Sequence, residues 1–439
     1  MNENIRIYQN KLNNRETKYV GESWQKRRDL LMANNKLFKN PTFTFIGKIV
    51  YPKKDNAPIS VGAIKEGSPW SRKRLQIGIM DENQNTAYLA MEYLFKPSDP
   101  KVRLFTKDKP IDVDIKDLAN EKYIDLMPSY SQIVIDLETD EELKKEYLKD
   151  VYALRNYENK EELTDEDKEK IAEHKKNIKE KAKNRFTPIH MDTAIDILGK
   201  HLPELEDKKV KVTGRVRLNY YNDTTRLEYI PNTIQLAKED EKSGLTINAN
   251  VFFNEDSLDN DEEAKKIYIN SYFGQVDKKK NKVYPYQLIL NYEKLDPENT
   301  LHAQMLEFLT KSFEVEDSDF MYCNKYQIQV INSRKKVEFS EETLTEQQRT
   351  MIALGLAKLD DFRPRGNIYG DRESYLQIIK PTLTDDFANG SLQAFDMESF
   401  GTFLVGMNDD TAPIKEDEVK EDKPKEENSP MDFSSLFGM

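Results

Sequence analysis

Cysteine is all but missing from this 439-residue chain, with Cys323 the only one. No intramolecular disulfide can form, and zinc sites built on cysteine are excluded. Long apolar runs are missing too: no window approaches the roughly 18 residues of a membrane span. The opening residues MNENIRIYQN lack the apolar core of a signal peptide. The expectation is a cytoplasmic protein with no membrane partner. Histidine is scarce, and His174, His190, His201 and His302 have neither metal-ligand spacing nor a catalytic-triad context. The segment GAIKEGSP, Gly62 to Pro69, spaces its glycines like a phosphate loop but lacks the lysine and hydroxyl residue that must follow. No metal and no cofactor is expected.

Positive charge is also in deficit, at a net −12, whereas a simple nucleic-acid binder has a high isoelectric point. That charge is unevenly placed. From Asn408 onward, ten acids against four lysines carry −6, leaving −6 on the other 407 residues, where local basic patches remain open.

What the chain does contain is strand grammar. Residues 1–40 read as a polar, helix-prone arm with Lys26, Arg27 and Arg28 beside Trp24. From Pro41 the pattern turns to period two, with Phe43, Phe45, Gly47, Ile49 and Tyr51 on one face. Further runs at 59–64, 74–80, 87–95 and 131–137 complete a first block, 41–138. Residues 139–187 are crowded with Glu, Lys and Asp at helical spacing and read as a charged helical linker, with Thr164 and Asp167 opening its second helix. A second block, 188–296, opens on a short helix and the strand KKVKVTGRVRLNYY. There Val210, Val212, Gly214, Val216, Leu218 and Tyr220 alternate with Lys211, Thr213, Arg215, Arg217, Asn219 and Tyr221. FIGKIVY (45–51) and VTGRVRL (212–218) look like a weak repeat, and a glycine in a first strand suits the curl of a closing barrel. Residues 297–407 read as a mixed α/β domain of no assigned fold, and 408–439 as a disordered acidic tail.

Each block counts five strands, like the oligonucleotide-binding barrel. The expected fold class is therefore α+β and β-barrel rich: two such barrels with helical insertions, a mixed C-terminal domain and a tail.

Binding residues follow from pairing aromatic rings, which stack on bases, with cations, which track phosphates. In the second block these are Arg215, Arg217, Tyr220, Tyr221 and Arg226, with the loop run Lys278, Lys279 and Lys280 leading to Tyr284 and Tyr286. In the first they are Trp70, Arg72, Lys73 and Arg74, with Lys48, Lys53 and Lys54 near strand one. The alternative at each is a solvated strand face or turn. A loop holding Arg363, Arg365, Tyr369, Arg372 and Tyr375 is a third contact or a set of local ion pairs with Asp360 and Asp361. One enzymatic reading stands beside these: IVIDLETD, 133–140, resembles the first motif of two-metal exonucleases, with Asp136 and Glu138 as ligands. No partner carboxylate motif follows it.

The tail is nearly free of large apolar residues until MDFSSLFGM, where Phe433, Leu436 and Phe437 share one helical face beside Asp432. Tandem barrels with basic and aromatic faces, an acidic linker and a Phe-bearing tip resemble single-stranded DNA-binding proteins, especially those of large bacteriophages. That resemblance implies a non-enzymatic accessory of DNA replication, recombination or repair. It would coat single strands in the bacterial host cytoplasm and recruit partners through Asp432, Phe433, Leu436 and Phe437. In the bacterial family the tip ends in Pro-Phe; here Gly438 and Met439 follow Phe437. Two rivals remain, the nuclease and a protein-interaction scaffold of a replication or transcription complex.

Overall fold

The alternation of KKVKVTGRVRLNYY becomes, in the computed structural model, a strand that buries Val210, Val212, Val216 and Leu218 and exposes Arg215, Arg217 and Tyr221. The structure describes residues 37–52, 58–106, 109–128, 131–158, 160, 162–277, 280–296, 298–315, 319–337, 339–340, 344–363, 368–383 and 392–406. Lys53, Lys54, Lys278, Lys279, the arm up to residue 36 and the whole tail with Asp432, Phe433, Leu436 and Phe437 lie outside the described residues.

In chain order the first strands are β1 (Thr42–Val50), β2 (Ile59–Ala63), β3 (Ser71–Leu75), β4 (Gly78–Met80), β5 (Thr86–Tyr88), β6 (Met91–Phe95), β7 (Lys101–Phe105), β8 (Pro110–Asp114), β9 (Val134–Asp136) and β10 (Arg185–Phe186). They continue with β11 (Lys209–Tyr221), β12 (Thr224–Leu236), β13 (Gly244–Phe253), β14 (Leu258–Asp261), β15 (Lys266–Asp277), β16 (Lys280–Asn291), β17 (Phe320–Val337), β18 (Ile368–Pro381) and β19 (Gln393–Asp396). The helices are α1 (Glu121–Leu126), α2 (Glu141–Glu158), α3 (Asp165–Lys181), α4 (Met191–Leu205), α5 (Thr300–Lys311), α6 (Glu346–Ala353) and α7 (Met397–Gly401). Among the described residues no helix is long and apolar enough to cross a membrane.

The pairings form two closed circuits of five strands. In the first, β1 runs antiparallel to β4 (Ile49↔Ile79), β4 to β5 (Ile79↔Ala87), and Leu89, just past β5, bridges in parallel to Tyr229 of β12. β12 pairs with β11, and β11 closes on β1 at Phe45↔Val212. In the second circuit β13 pairs with β15, β15 with β16, β16 in parallel with β18 at Ile289↔Gln377, β18 with β17, and β17 closes on β13 at Ile247↔Ile328. Both run first, second, third, fifth, fourth, first. Both place a helix, α4 or α5, between third and fourth strands.

Two five-stranded units were expected, but the membership differs. Residues 209–236 are not the opening of a second unit; they are the fourth and fifth strands of the first. The second unit opens at Gly244 and takes its last strands from 320–381, inside the segment expected to be a separate mixed domain. FIGKIVY and VTGRVRL are accordingly hydrogen-bonded neighbours rather than equivalent repeats. The equivalent strands are β1 and β13, which also pair with each other, antiparallel, from Thr42↔Asn248 to Ile46↔Gly244.

Two glycines permit the curl. A Cβ on Gly47 would lie 2.2 Å from the Met80 carbonyl oxygen, where β1 turns from β13 to β4. One on Gly214 would lie 2.1 Å from the Ile230 oxygen, beside the register shift at Thr213/Gly214 that marks a bulge. One apolar core runs through both circuits, from Phe43 and Phe45 to Leu376 and Ile378. A satellite cluster of Phe38, Phe252, Phe395 and Phe400 sits under α7, and another, with Val102, Leu104 and Val113, holds the inserted β7–β8 hairpin.

Candidate nucleic-acid interface

β2, β3 and β6 form a small sheet that prolongs the second and third strands of the first circuit, and its period-two geometry divides the expected basic cluster. Arg72 and Arg74 share one face with Glu92, at 3.8 and 3.7 Å. Lys73 points the other way. Its Nζ donates to Asp192 Oδ1 at 2.6 Å and lies 2.7 Å from Asp196 Oδ1, on the first turns of α4, where the Tyr93 hydroxyl also donates to Asp192 at 2.7 Å. Burial opposes the charge of Lys73, but the bonds to Asp192 and Asp196 outweigh it and hold the ammonium above its ordinary range. Lys73 is therefore a strut between sheet and helix, its charge already matched, and not the phosphate contact expected of it. At the end of the same sheet Trp70 is 41% exposed, with the Lys96 ammonium 4.8 Å above its ring. Lys48 is exposed and 3.8 Å from Asp207.

The second exposed aromatic sits where β11 turns into β12. Asn222 and Asp223 have φ of 49° and 58°, the two-residue turn whose twist suits a hairpin. The turn leaves Tyr221 63% exposed, with the Arg226 guanidinium 5.8 Å from its ring. Behind it on the same face, Arg217 is bound to Glu228, which also accepts from Asn219 Nδ2 at 2.6 Å, and Arg215 is exposed. Tyr220 faces inward: its hydroxyl donates to Asp223 at 3.1 Å and its ring packs near Gly406.

Lys280 is exposed at the turn end of the β15–β16 hairpin, but Tyr284, expected to be its stacking neighbour, is a core residue at 5% exposure. The end of β11 lies over the hairpin there. Gln275 Oε1 accepts from the Leu218 amide at 2.7 Å, and Gln275 Nε2 reaches the Tyr284 hydroxyl at 3.3 Å.

Asp136 and Glu138 are both buried, and their oxygens are occupied. Tyr147 donates to Asp136 Oδ1 and Oδ2 at 2.8 and 3.0 Å, and Arg185 lies 3.2 Å from Oδ2. Glu138 accepts from the amides of Thr139 and Asp140 and from Asn184. Asp136 ties β9 to β10 and α2 through Arg185 and Tyr147, while β9 joins β12 by main-chain pairing; among the described residues no three His, Cys, Asp or Glu are grouped to hold a metal.

Sequence reasoning did not assemble one further feature. A cleft of about 250 Å³ lies where the two circuits meet, walled by Tyr88, Leu227 and Tyr229 from the first and Tyr286, Asn332 and Tyr375 from the second. Burial pushes the Tyr286 hydroxyl up to about 12 and Tyr229 higher still, so both are neutral at physiological pH. Asn332 ties the cleft together: its amide donates to Asn85 Oδ1 at 3.1 Å and its Nδ2 to the Thr86 oxygen at 2.5 Å. Arg372, exposed at the rim, donates from Nε to Asn332 Oδ1 at 2.9 Å. Arg372 and Tyr375 belong to the Gly/Arg loop segment; Tyr88 carries no signal beyond alternation.

Neither the protein-family models nor the curated proteins contain a match to this chain. Among solved structures, a deletion mutant of the single-stranded DNA binding protein from Thermus aquaticus aligns with 68% of this chain and 88% of its own, at 8% identity and a TM-score of 0.23. So loose a superposition supports neither fold nor function.

The geometry orders the exposed groups along the first circuit. β5 and β12 run in parallel through Leu89↔Tyr229. Tyr221 and Arg226 therefore lie toward one end of that strand pair and Trp70 with Lys96, beside Phe95, toward the other. Tyr88 and the cleft lie between.

Proposed function

We propose that this chain is a single-stranded DNA-binding protein built on two oligonucleotide-binding barrels, and that it is not an enzyme. The pairing order with its intervening helix, found twice, supports the barrel assignment, since that fold is a five-stranded Greek-key barrel. One observation carries the function: two exposed rings, Trp70 in the first–second connection and Tyr221 at the fourth–fifth turn of one circuit, each have a cation beside them, Lys96 from the third–fourth connection and Arg226 from β12. Those loops are where such barrels take oligonucleotides. Stacking on rings that have cations beside them is tolerant of sequence, because every base has a π-face. Filter binding with single-stranded DNA, duplex DNA and RNA at two salt concentrations tests the proposal. Preference for single strands with affinity falling as salt rises supports it; equal affinity for duplex, or no binding at low salt, rejects it and leaves the scaffold reading.

A role in replication, recombination or repair belongs to the same proposal, as does recruitment through the tail. The support is the ordering of residues in 408–439, where aromatic side chains return only at Phe433 and Phe437, with Leu436 between them, after a charged stretch of net −6 that begins at Asn408. Deleting 408–439 is expected to keep or tighten single-strand binding at low salt and to abolish capture of a replication protein. Unchanged capture by the deletion and by a Phe433→Ala, Phe437→Ala double variant rejects the hook.

A further inference from the structure

We propose that the cleft between the two barrels is a base-capture site, which takes one unpaired nucleobase out of the bound strand and stacks it against tyrosine. This rests on the reading of the chain as a single-strand binder. Three properties of the cleft support this.

It is walled from both sides. Tyr88 comes from the third strand of the first circuit, Tyr286 and Tyr375 from the third and fifth strands of the second. Its volume, about 250 Å³, is enough to take a nucleobase. Extruded bases are held in this way, between aromatic or apolar side chains.

The site is also preorganised. Asp81 accepts from the amides of Asn83 and Asn85, each at 2.9 Å, and from Asn85 Nδ2 at 3.0 Å, which fixes the turn between β4 and β5. Asn85 then accepts from the Asn332 amide, so the turn of one barrel is bonded to the fourth strand of the other. With these walls joined, binding need not order the two barrels against each other, which removes part of the entropic cost of capture.

Finally, the rim is cationic. Arg372 uses Nε on Asn332 and is otherwise exposed, and Lys266 lies 5.8 Å over the Tyr375 ring, whose hydroxyl accepts from Asn291 at 3.1 Å. A cation at the mouth and neutral rings within match a nucleotide that keeps its phosphate outside and its base inside. A duplex cannot present a base in this way without unpairing it, so the cleft adds to the discrimination against duplex.

The test is photocrosslinking of the full chain to a thymidine oligonucleotide carrying 5-iododeoxyuridine, with the adduct mapped by mass spectrometry, beside affinities for Tyr375→Ala, Tyr375→Phe and Tyr221→Ala. An adduct on Tyr88, Tyr286 or Tyr375 is expected. Tyr375→Ala should weaken binding roughly tenfold, and Tyr375→Phe, which keeps the ring, should stay within about twofold of the parent. Adducts confined to Trp70 and Tyr221, with Tyr375→Ala binding like the parent, would overturn base capture while leaving the proposed function standing. No binding of the oligonucleotide at all overturns both. Should Tyr375→Ala fail to fold, the adduct map on the unaltered chain decides alone.

Discussion

Thr246 Oγ1 donates to the main-chain oxygen of Thr44 at 3.0 Å, and these two residues are also the central partners of the antiparallel pairing between β1 and β13. The first strand of each circuit thus meets its counterpart across a local two-fold relationship. Each strand bonds its own fourth strand along one edge and divides the other edge between its counterpart and its own second strand. Thr246→Val keeps the shape and removes the donor. It should cost about 1 kcal/mol in chemical denaturation and leave oligonucleotide affinity unchanged.

Gly47→Ala should be far more damaging. The atom that a Cβ would meet at 2.2 Å is main-chain oxygen, which no rotamer change can move aside. A loss of roughly 2 kcal/mol or more is expected, as for overpacked sites that force backbone shifts, read as a lower denaturation midpoint.

Lys73→Met and Arg74→Ala should separate cleanly, although the residues are adjacent. Lys73→Met leaves Asp192 and Asp196 facing each other without their cation and should destabilise by roughly 2 kcal/mol or more, with single-strand affinity retained by the folded fraction. Arg74→Ala should leave the denaturation midpoint within about 0.5 kcal/mol of the parent. Its oligonucleotide affinity should show a shallower dependence on salt.

Trp70→Ala and Tyr221→Ala should each weaken single-strand binding by about 1 to 3 kcal/mol without unfolding the chain, because both rings are exposed. Titration with a fluorescent thymidine oligomer checks this. If both variants bind as the parent does, the aromatic–cation pairs are not the contact surface.

Acid should destabilise the fold through His190. Its ring Nδ1 accepts from the Asp192 amide at 3.1 Å as the N-cap of α4, so the neutral tautomer carries its proton on Nε2. Burial lowers its pKa, against the opposing pull of Asp192. With the folded value below the ordinary 6.5, the unfolded chain binds the proton first as pH drops. The stabilisation is complete above about pH 6.5 and declines as pH falls toward the folded value. His190→Asn, which keeps a capping oxygen, should flatten that part of the pH–stability profile.

How much of this was legible along the chain depends on sequence distance. The faces of β11 could be read because burial follows alternation there: Val212, Val216 and Leu218 inward, Arg215, Arg217 and Tyr221 outward. The Thr164–Asp167 capping box and α4 are likewise local. Strand membership of the circuits was not local. β1 finds its fourth strand beyond a long insertion, so five strands counted consecutively produced a grouping that the pairings do not follow. Lys73 and its neighbours Arg72 and Arg74 have the same chemistry, and only α4, more than a hundred residues on, distinguishes them. Tyr284 follows a lysine run and looks solvated until the end of β11 is laid across it. The cleft joins five strands from both circuits, and no window of sequence contains it.

The wide separation of β1 from its partners also sets a schedule for synthesis. Phe43 and Phe45, fully buried in the finished protein, cannot be covered until Val210 and Val212 have left the ribosome. At roughly 5 to 20 residues per second that wait is on the order of ten seconds or longer. During it, the nascent chain presents an aromatic strand with two open edges to whatever chaperones or neighbouring chains are at hand.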